Sequence, residues 1–287
     1  MSTVGFIVHP NRPEAAQLAL ESKQLLERLG HDVVEFDASK DDAFADCDLL
    51  LSLGGDGTML RAVELVSGTD TPILGVNLGR LGYLAEVDPR DLHAALRRFF
   101  EGDYHIQRRM TVAVQLERES TSEVKGSGTD PSPLDLGIAL NEVVVERLHS
   151  GHVIRVEVAI SGRKFIRYDA DGLIVATPTG STAYSLSARG PIASPELEAL
   201  LLTPISPHML FDRTLVLAPS EVVTLRLCDG PPASVMVDGQ NIMNIHPGDT
   251  VVCRRANHNA HLVTFENRSF HEILKAKFGL DSKSIGG

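Results

Sequence analysis

The run Leu49-Leu50-Leu51-Ser52-Leu53-Gly54-Gly55-Asp56-Gly57-Thr58-Met59-Leu60-Arg61 constrains what this chain can fold into more than any other stretch. An apolar segment stops at closely spaced glycines and resumes with helical spacing. Such a segment reads as a strand covered on both faces, the situation in parallel sheets whose crossovers are helices. Gly54, Gly55 and Gly57 let the backbone take positive φ and bring N–H groups close to an anion. Thr58 can cap the following helix, whose N-terminus adds partial positive charge. The pattern suits the phosphates of a nucleotide. Asp56 stands out within it, because a carboxylate beside bound phosphate is repelled unless a metal ion or a substrate proton engages it. It is a candidate general base or metal-linked residue. The same four residues also serve as a plain tight turn with a helix-capping acid, so the rest of the chain has to decide.

Around this run the first hundred residues alternate strands and helices. Strands are expected at 4–9, 31–36, 49–53 and 71–76, and helices at 14–29, with a stripe of Ala15, Leu18, Leu25, Leu26 and Leu29, and at 59–66. A further helix opens at Asp88-Pro89 and carries Leu92, Leu96 and Phe99. The alternation implies a mostly parallel open sheet, in which ligands bind beyond the carboxyl ends of the strands, where Asp56 lies. The loop Asn77-Leu78-Gly79-Arg80-Leu81-Gly82-Tyr83 can pass beside the same ligand. From Tyr104 the apolar period changes to two, and strands are expected at 112–116, 136–140, 143–146, 153–160, 164–168, 173–177, 214–217, 222–227, 235–237, 250–254 and 261–265. Ser161-Gly162 and Pro247-Gly248-Asp249 supply turns. Residues 118–135, rich in Ser, Thr, Gly and Pro, read as a long mobile loop, and 281–287 as a fraying end.

The expected fold is α/β plus all-β. An N-terminal open, mostly parallel α/β domain over 1–103 carries the Gly-Gly-Asp-Gly motif; a β-sandwich-like domain over 104–267 follows; and a closing helix, 268–280, packs back on the first domain. The 287 residues, 43% of them apolar, suffice for two such cores. No apolar run approaches the roughly 18 residues that span a bilayer. The start Met1-Ser2-Thr3-Val4-Gly5 lacks a signal-peptide layout. Cys47, Cys228 and Cys253 are too scattered for a metal site and read as structural thiols in a reducing cytoplasm. A formal charge of −11 opposes sequence-independent binding to nucleic acid or to an anionic membrane. An anionic nucleotide then needs local cations, for which Arg61, Arg80, Arg108, Arg109 and a divalent metal ion are the suppliers. His149 with His152, and His258 with His261, are spaced three apart on loops or strands, which do not bring such pairs onto one face as a helix does.

A second polar constellation follows the strand that begins at Asp171-Gly172. Thr177-Pro178-Thr179-Gly180-Ser181-Thr182-Ala183-Tyr184-Ser185-Leu186-Ser187 offers hydroxyls, a glycine for close backbone approach and the amphipathic ring of Tyr184. Hydroxyl-rich segments also build turns and caps.

Taken together, Gly54-Gly55-Asp56-Gly57-Thr58, Asn141-Glu142, and Asp171-Gly172 leading into Thr177-Pro178-Thr179-Gly180-Ser181-Thr182-Ala183-Tyr184 closely resemble the NAD kinase family in order and spacing. The similarity runs from about Leu50 to Gln240, with support from 75–82, 204–208 and Asp238-Gly239-Gln240. The resemblance implies phosphoryl transfer from ATP to the 2′-hydroxyl of the adenosine ribose of NAD, giving NADP. It implies a divalent cation, with Mg²⁺ the expected ion, and self-association into a dimer or tetramer. By the same resemblance Asp56 is the catalytic proton acceptor, and Gly54, Gly55, Gly57 and Thr58 form the phosphate-donor loop. Asp56, Gly57, Arg61, Asn141, Glu142, His152, Asp171, Thr179, Thr182, Ala183, Tyr184, Ser185, Leu186, Ser187 and Gln240 are the NAD contacts.

Two departures stand out. Arg189 replaces a glycine in the family's Ser-Ala-Gly-Gly-Pro, and Asp169 stands where several bacterial members carry Arg. The rival enzyme class is a lipid kinase of the diacylglycerol or sphingoid-base type, which shares Gly-Gly-Asp-Gly. Asn141-Glu142, the 177–184 stretch and the lack of a basic amphipathic segment speak against it. No Walker-type Gly-Lys-Ser/Thr occurs. A non-catalytic NAD(P) sensor is the remaining alternative, and Asp56 discriminates it.

Overall fold

The structure is a computed structural model describing residues 1–36, 47–79, 82–118, 132–149, 151–265 and 269–280. The aspartate-rich connection, Arg80, Leu81, most of the 118–135 loop and the 281–287 end lie outside the described residues. In chain order the elements are β1 (Thr3–Val8), α1 (Pro13–Arg28), β2 (Asp32–Phe36), β3 (Leu49–Gly54), α2 (Asp56–Leu65), β4 (Pro72–Asn77), α3 (Leu92–Phe100) and β5 (His105–Arg109). Strands β6 (Val112–Glu117), β7 (Leu134–Ala139), β8 (Glu142–Arg147), β9 (Ile154–Ile160), β10 (Arg163–Ala170) and β11 (Gly172–Ala176) follow. After a 3₁₀ turn over Thr179–Thr182 come the short α4 (Tyr184–Ser187), β12 (Leu200–Ile205), β13 (Leu215–Leu217), β14 (Val223–Asp229), β15 (Ala233–Val237), β16 (Gln240–Ile245) and β17 (Thr250–Arg255). The chain ends with β18 (Ala260–Thr264) and α5 (Phe270–Phe278).

Two compact units result: residues 1–109 with 259–287, and residues 110–258. The first is built on one sheet of order β2-β1-β3-β4-β18-β5, parallel except for the antiparallel β18–β5 pair. Every residue of β3 is buried, as its apolar run requires. Leu49, Leu51 and Leu53 share a core with Ala15, Leu25 and Leu26 of α1 and with Leu92, Leu96 and Phe99 of α3. Each such leucine contributes about 1.5–3 kcal/mol of transfer free energy. α3 begins after a 3₁₀ turn in which the Asp88 carboxylate accepts the Arg90 N–H at 3.0 Å. On α1, Leu29 is not part of the stripe; it follows the helix and is 48% exposed, because the helix ends at Arg28 and Gly30 turns the chain with φ +82°.

The second unit is a sandwich-like pair of six-stranded antiparallel sheets, β10-β9-β14-β17-β6-β7 and β13-β12-β11-β8-β15-β16. Their inner faces share one core, which includes Val114, Val143, Val156, Tyr168, Val175, Leu225 and Val251.

Two expectations need correction. Residues 105–109, expected in the second domain but not as a strand, and 260–264, expected as a strand of that domain, form β5 and β18 and complete the sheet of the first unit. Alternation reveals a half-buried strand but not its partner. Among the described residues β12 and β16 also went unanticipated. Pro204 argues locally against a strand. β13 pairs only with Leu200–Leu202, so at Pro204 the strand has a neighbour on one side only, where a missing N–H is tolerated. Of the closing helix, α5 is described. It is started by a Ser269–Glu272 capping box, buries no residue fully, and places the Lys277 ammonium 3.8 Å from the Tyr83 ring centroid in the first unit.

Candidate functional site

In the first unit, β3 ends at Gly54 and α2 begins two residues later, so the motif is a strand-to-helix junction with almost no loop. This geometry changes the role of each glycine. None of Gly54, Gly55 and Gly57 has positive φ, and Thr58 is not a cap: the N-cap is Gly55, and no side chain caps the helix. Gly54 is required by close packing, since a Cβ there would lie 2.0 Å from Thr58 Oγ1. A Cβ on Gly55 or Gly57 would meet nothing within 4 Å, so the space before the uncapped N-terminus is open to an anion.

Asp56, the first residue of α2, is held by the loop after β4. Its Oδ2 accepts the Tyr83 N–H at 2.9 Å and its Oδ1 the Leu84 N–H at 3.1 Å. Gly82 makes the approach possible, because a Cβ there would fall 2.1 Å from Asp56 Oδ1. Burial, and then the Asp56 charge, push the Tyr83 phenol up. Two amides orient the carboxylate and leave each oxygen with further acceptor capacity. Arg61 faces Glu64 at 2.6 Å, and buried Arg109 donates to Gln107 at 2.7 Å. Arg12, which sequence reasoning passed over, donates to the Leu78 carbonyl at the carboxyl ends of the strands.

In the second unit the separated motifs meet on one sheet. Glu142 opens β8 and pairs with Ala176, the last residue of β11; Val143 pairs with Val237, the last residue of β15. Residues Asn141, Thr177–Tyr184 and Asp238–Gln240 therefore gather at one end of the sheet. Thr177 N donates to Asn141 O at 2.8 Å and Thr177 Oγ1 to Leu140 O at 2.5 Å, and Gly180 N donates back to Thr177 Oγ1 at 3.1 Å. Gly180 packs directly on the Asn141 backbone, with a Cβ there 2.0 Å from its carbonyl oxygen. The segment then returns over the outer face of the sheet, packing Tyr184, Ala188 and Ala193 against Val144, Ile174, Ala176 and Leu201.

That return carries Tyr184 to within 3.4 Å of Glu146 Oε1. Burial first, then the Glu146 charge, push its phenol up. Buried Ser185 shares a hydroxyl chain with Thr203 at 3.1 Å and Thr214 at 3.0 Å. Thr179 is buried with no hydrogen-bond partner for its hydroxyl. Thr182 donates to Thr179 O at 3.3 Å, Ala183 and Leu186 are half-buried, and Ser187 and Gln240 are exposed. At the other end of β11, Asp171 pairs with Arg147 at 2.9 Å, and Arg147 also donates to the His152 carbonyl at 3.2 Å; the His152 residue itself is exposed. Glu142 is 5% exposed, and burial, then the neighbouring Asp238 charge, raise its pKa to about 8. The pairing partners Asp238, Glu146 and Arg147 were not anticipated as site residues; for Asp238 a usable signal existed, an Asp-Gly dipeptide between apolar stretches.

Comparison with known proteins gives the arrangement its context. Residues 36–104 match the family model of the ATP-NAD kinase N-terminal domain, and residues 140–265 that of the ATP-NAD kinase C-terminal domain. An NAD kinase of Heliobacterium modesticaldum is 41% identical over 289 residues, spanning 96% of this chain and 98% of that protein. This chain belongs to the NAD kinase family. An NAD kinase of Citrifermentans bemidjiense is 38% identical over 257 residues, 89% of this chain and 85% of that protein. Among solved structures, a yeast NADH kinase complexed with NADH shares the fold with a TM-score of 0.85, at 24% identity over 98% of this chain and 89% of that one. An NAD kinase from Archaeoglobus fulgidus in complex with ATP matches with a TM-score of 0.71, at 26% identity over 96% of each chain.

The two departures from the NAD kinase pattern have local explanations. Arg189 has φ +66°, the left-handed region that glycine occupies without steric cost, and its residue is exposed. Asp169 lies 3.4 Å from Arg155, which also pairs with Asp229 at 2.6 Å, and Arg167 completes this exposed network at 2.7 Å from Asp229. Among the described residues no group of three or more His, Cys, Asp or Glu is arranged to hold a metal ion. None of the three cysteines is in a disulfide, and burial pushes the Cys253 thiol up to about 12.

Proposed function

We propose that the chain phosphorylates the 2′-hydroxyl of the adenosine ribose of NAD with ATP, giving NADP and ADP. The NAD kinase relatives and both matched ATP-NAD kinase domains support transfer from ATP to NAD, and do not favour a lipid kinase. The observation that carries the reading is the gathering of Asn141, Glu142, the 177–184 segment and Gln240 on one sheet end. It brings an amide, a carboxyl and an aromatic ring near one another, groups that recognition of a dinucleotide uses.

The uncapped start of α2 with Gly55 and Gly57 receives donor phosphate, and Asp56 accepts the proton of the attacking hydroxyl. The bond from O2′ to the γ-phosphorus forms, the bond from that phosphorus to the bridging oxygen of ATP breaks, and ADP leaves. Asn141, Glu142, Asp171, Tyr184 and Gln240 hold and orient NAD; Thr179, the 182–187 hydroxyl segment and His152 complete that surface. The hydrogen bonds of Thr177 and Gly180 to the 140–141 backbone fix this part of the surface before substrate arrives, which limits the ordering cost on binding.

Mg²⁺ is usually held by one or two carboxylates and the substrate's own phosphates; here it would be carried chiefly by the phosphates of ATP, leaving Asp56 to accept the proton. When bound with ATP the cation supplies charge neutralisation at the transferring group. We place the protein in the cytoplasm as a dimer or tetramer. Among the described residues no helix is long and apolar enough to cross a bilayer.

The test is Asp56→Asn. Turnover of NAD to NADP is expected to fall about 10²–10⁴-fold, while NAD still shifts the melting temperature. A protein that binds NAD and makes no NADP even with Asp56 intact is instead the non-catalytic sensor.

A further inference from the structure

The β15–β16 hairpin turns on two residues, Asp238 and Gly239, with φ of +47° and +79°. Both central residues at positive φ define a type I′ turn, for which Asp-Gly is a preferred pair. The Asp238 side chain, however, reaches away from its own turn. Its Oδ2 accepts the Leu140 N–H at 2.8 Å, and its Oδ1 accepts the N–H groups of Asn141 at 2.8 Å and Glu142 at 3.0 Å. Three consecutive backbone donors converge on one carboxylate, an anion nest filled by the protein itself.

The carbonyls of the same tripeptide are also engaged. Leu140 O and Asn141 O accept from Thr177, and Glu142 O accepts the Asp238 N–H at 3.0 Å. Gly180 closes over the Asn141 carbonyl. The backbone carrying Asn141 and Glu142 is thus held from the hairpin side by Asp238 and from the opposite side by the Thr177–Gly180 segment. We infer that Asp238 is the positioning residue of the NAD surface: through the three amides it sets the directions of the Asn141 and Glu142 side chains, and through its hairpin it places Gln240 in the same frame. It touches no nucleotide itself.

The physical reason is the cost of an empty nest. Without an anion, three converging donors at a half-buried site lose their acceptor, and the peptide planes relax by rotating. That rotation swings Asn141 and Glu142 off the substrate. Asparagine at 238 keeps one oxygen for the Asn141 and Glu142 amides but presents an NH₂ group to the Leu140 N–H, so it restores part of the arrangement. This inference rests on the reading of Asn141 and Glu142 as NAD contacts, and its test separates the two.

Steady-state kinetics with NAD and ATP varied in turn are measured for the wild-type full chain and for Asp238→Ala, Asp238→Asn, Asn141→Ala and Glu142→Ala. The KM for NAD is expected to rise at least ~10-fold in Asp238→Ala and by a smaller factor in Asp238→Asn, with the KM for ATP within about twofold of wild type in both. If Asp238→Ala does not fold, the smaller rise in the NAD KM of Asp238→Asn, with the KM for ATP unchanged, is the test. A raised NAD KM in Asn141→Ala and Glu142→Ala with an unchanged value in the Asp238 variants overturns the positioning role alone. A fall in kcat in the Asp238 variants with both KM values unchanged also overturns it. An unchanged NAD KM in all four variants overturns the reading of the surface and the inference with it.

Discussion

Glu142 shows how a residue at the head of a strand acquires an unusual protonation state. Only 5% exposed, with its Oε2 lacking a hydrogen-bond partner and Asp238 alongside, it has a pKa raised from 4.5 to about 8. The groups around it are the Asp238 carboxylate, the Tyr184 N–H, which favours the charged form, and the more distant Glu146 and Asp171 beside Tyr184. Unfolded, the side chain loses its proton near 4.5; folded, it keeps the proton to about 8. Between those values the native state binds more protons, so stability falls as pH rises through that window and is fully present only below it. Glu142→Gln is neutral in both states and loses this dependence. Urea denaturation of the two proteins at pH 5 and pH 9 is expected to show the variant gaining on the order of 2–4 kcal/mol relative to wild type across that range. An equal difference at both pH values would sink the assignment. On the proposed reading, ribose hydroxyls donate to the same group and favour its ionisation, so substrate and proton would compete for Glu142.

At the scale of elements, two glycines with equally close neighbours have different consequences. A Cβ on Gly180 meets the Asn141 carbonyl oxygen at 2.0 Å, a backbone atom tied down by Thr177. A Cβ on Gly82 meets Asp56 Oδ1 at 2.1 Å, the end of a side chain that can rotate away. Gly180→Ala is therefore expected to cost about 1–3 kcal/mol of stability or more, read as a lowered denaturation midpoint. Gly82→Ala is expected to keep most of its stability and to lose about 10²-fold in turnover, because the acid leaves its position. If Gly82→Ala has wild-type kcat, the loop does not set the acid. These roles were only partly legible in the sequence. The glycine-acid run identified the β3–α2 junction, but the expected positive φ and Thr58 cap depended on a loop that does not exist. Helix α2 starts at once, and the second loop, 82–84, does the holding.

For the whole molecule, the proposed role of Mg²⁺ beside the donor phosphates predicts a cation dependence of turnover. Among the described residues no group of three or more His, Cys, Asp or Glu side chains is arranged to hold a metal ion. On the proposal that the ion enters with the phosphates of ATP, chelation by EDTA is expected to abolish NADP formation while leaving the melting temperature within about 1 °C. A large fall in melting temperature on chelation would reveal a structural ion. The division into units, too, answers to long-range pairing. β5 and β18 join the first sheet although nearly 150 residues of the second unit separate them in the chain, because β18 pairs with both β4 and β5.

What the sequence determined by itself was local: the buried run of β3, the helix stripes, the alternation of the sandwich strands, and three motifs whose order and spacing resemble one family. Each is a property of neighbouring residues, fixed by helical or extended periodicity and by the steric freedom of glycine. Only the tertiary structure decided that Asp56 is gripped by the Tyr83 and Leu84 amides, that Asp238 fills a nest under Asn141 and Glu142, that Glu142 keeps its proton, and that β18 returns to the first sheet. Those outcomes depend on which distant groups become neighbours and how much water they lose, and hydrogen-bond partners and desolvation are set by packing, not by spacing along the chain.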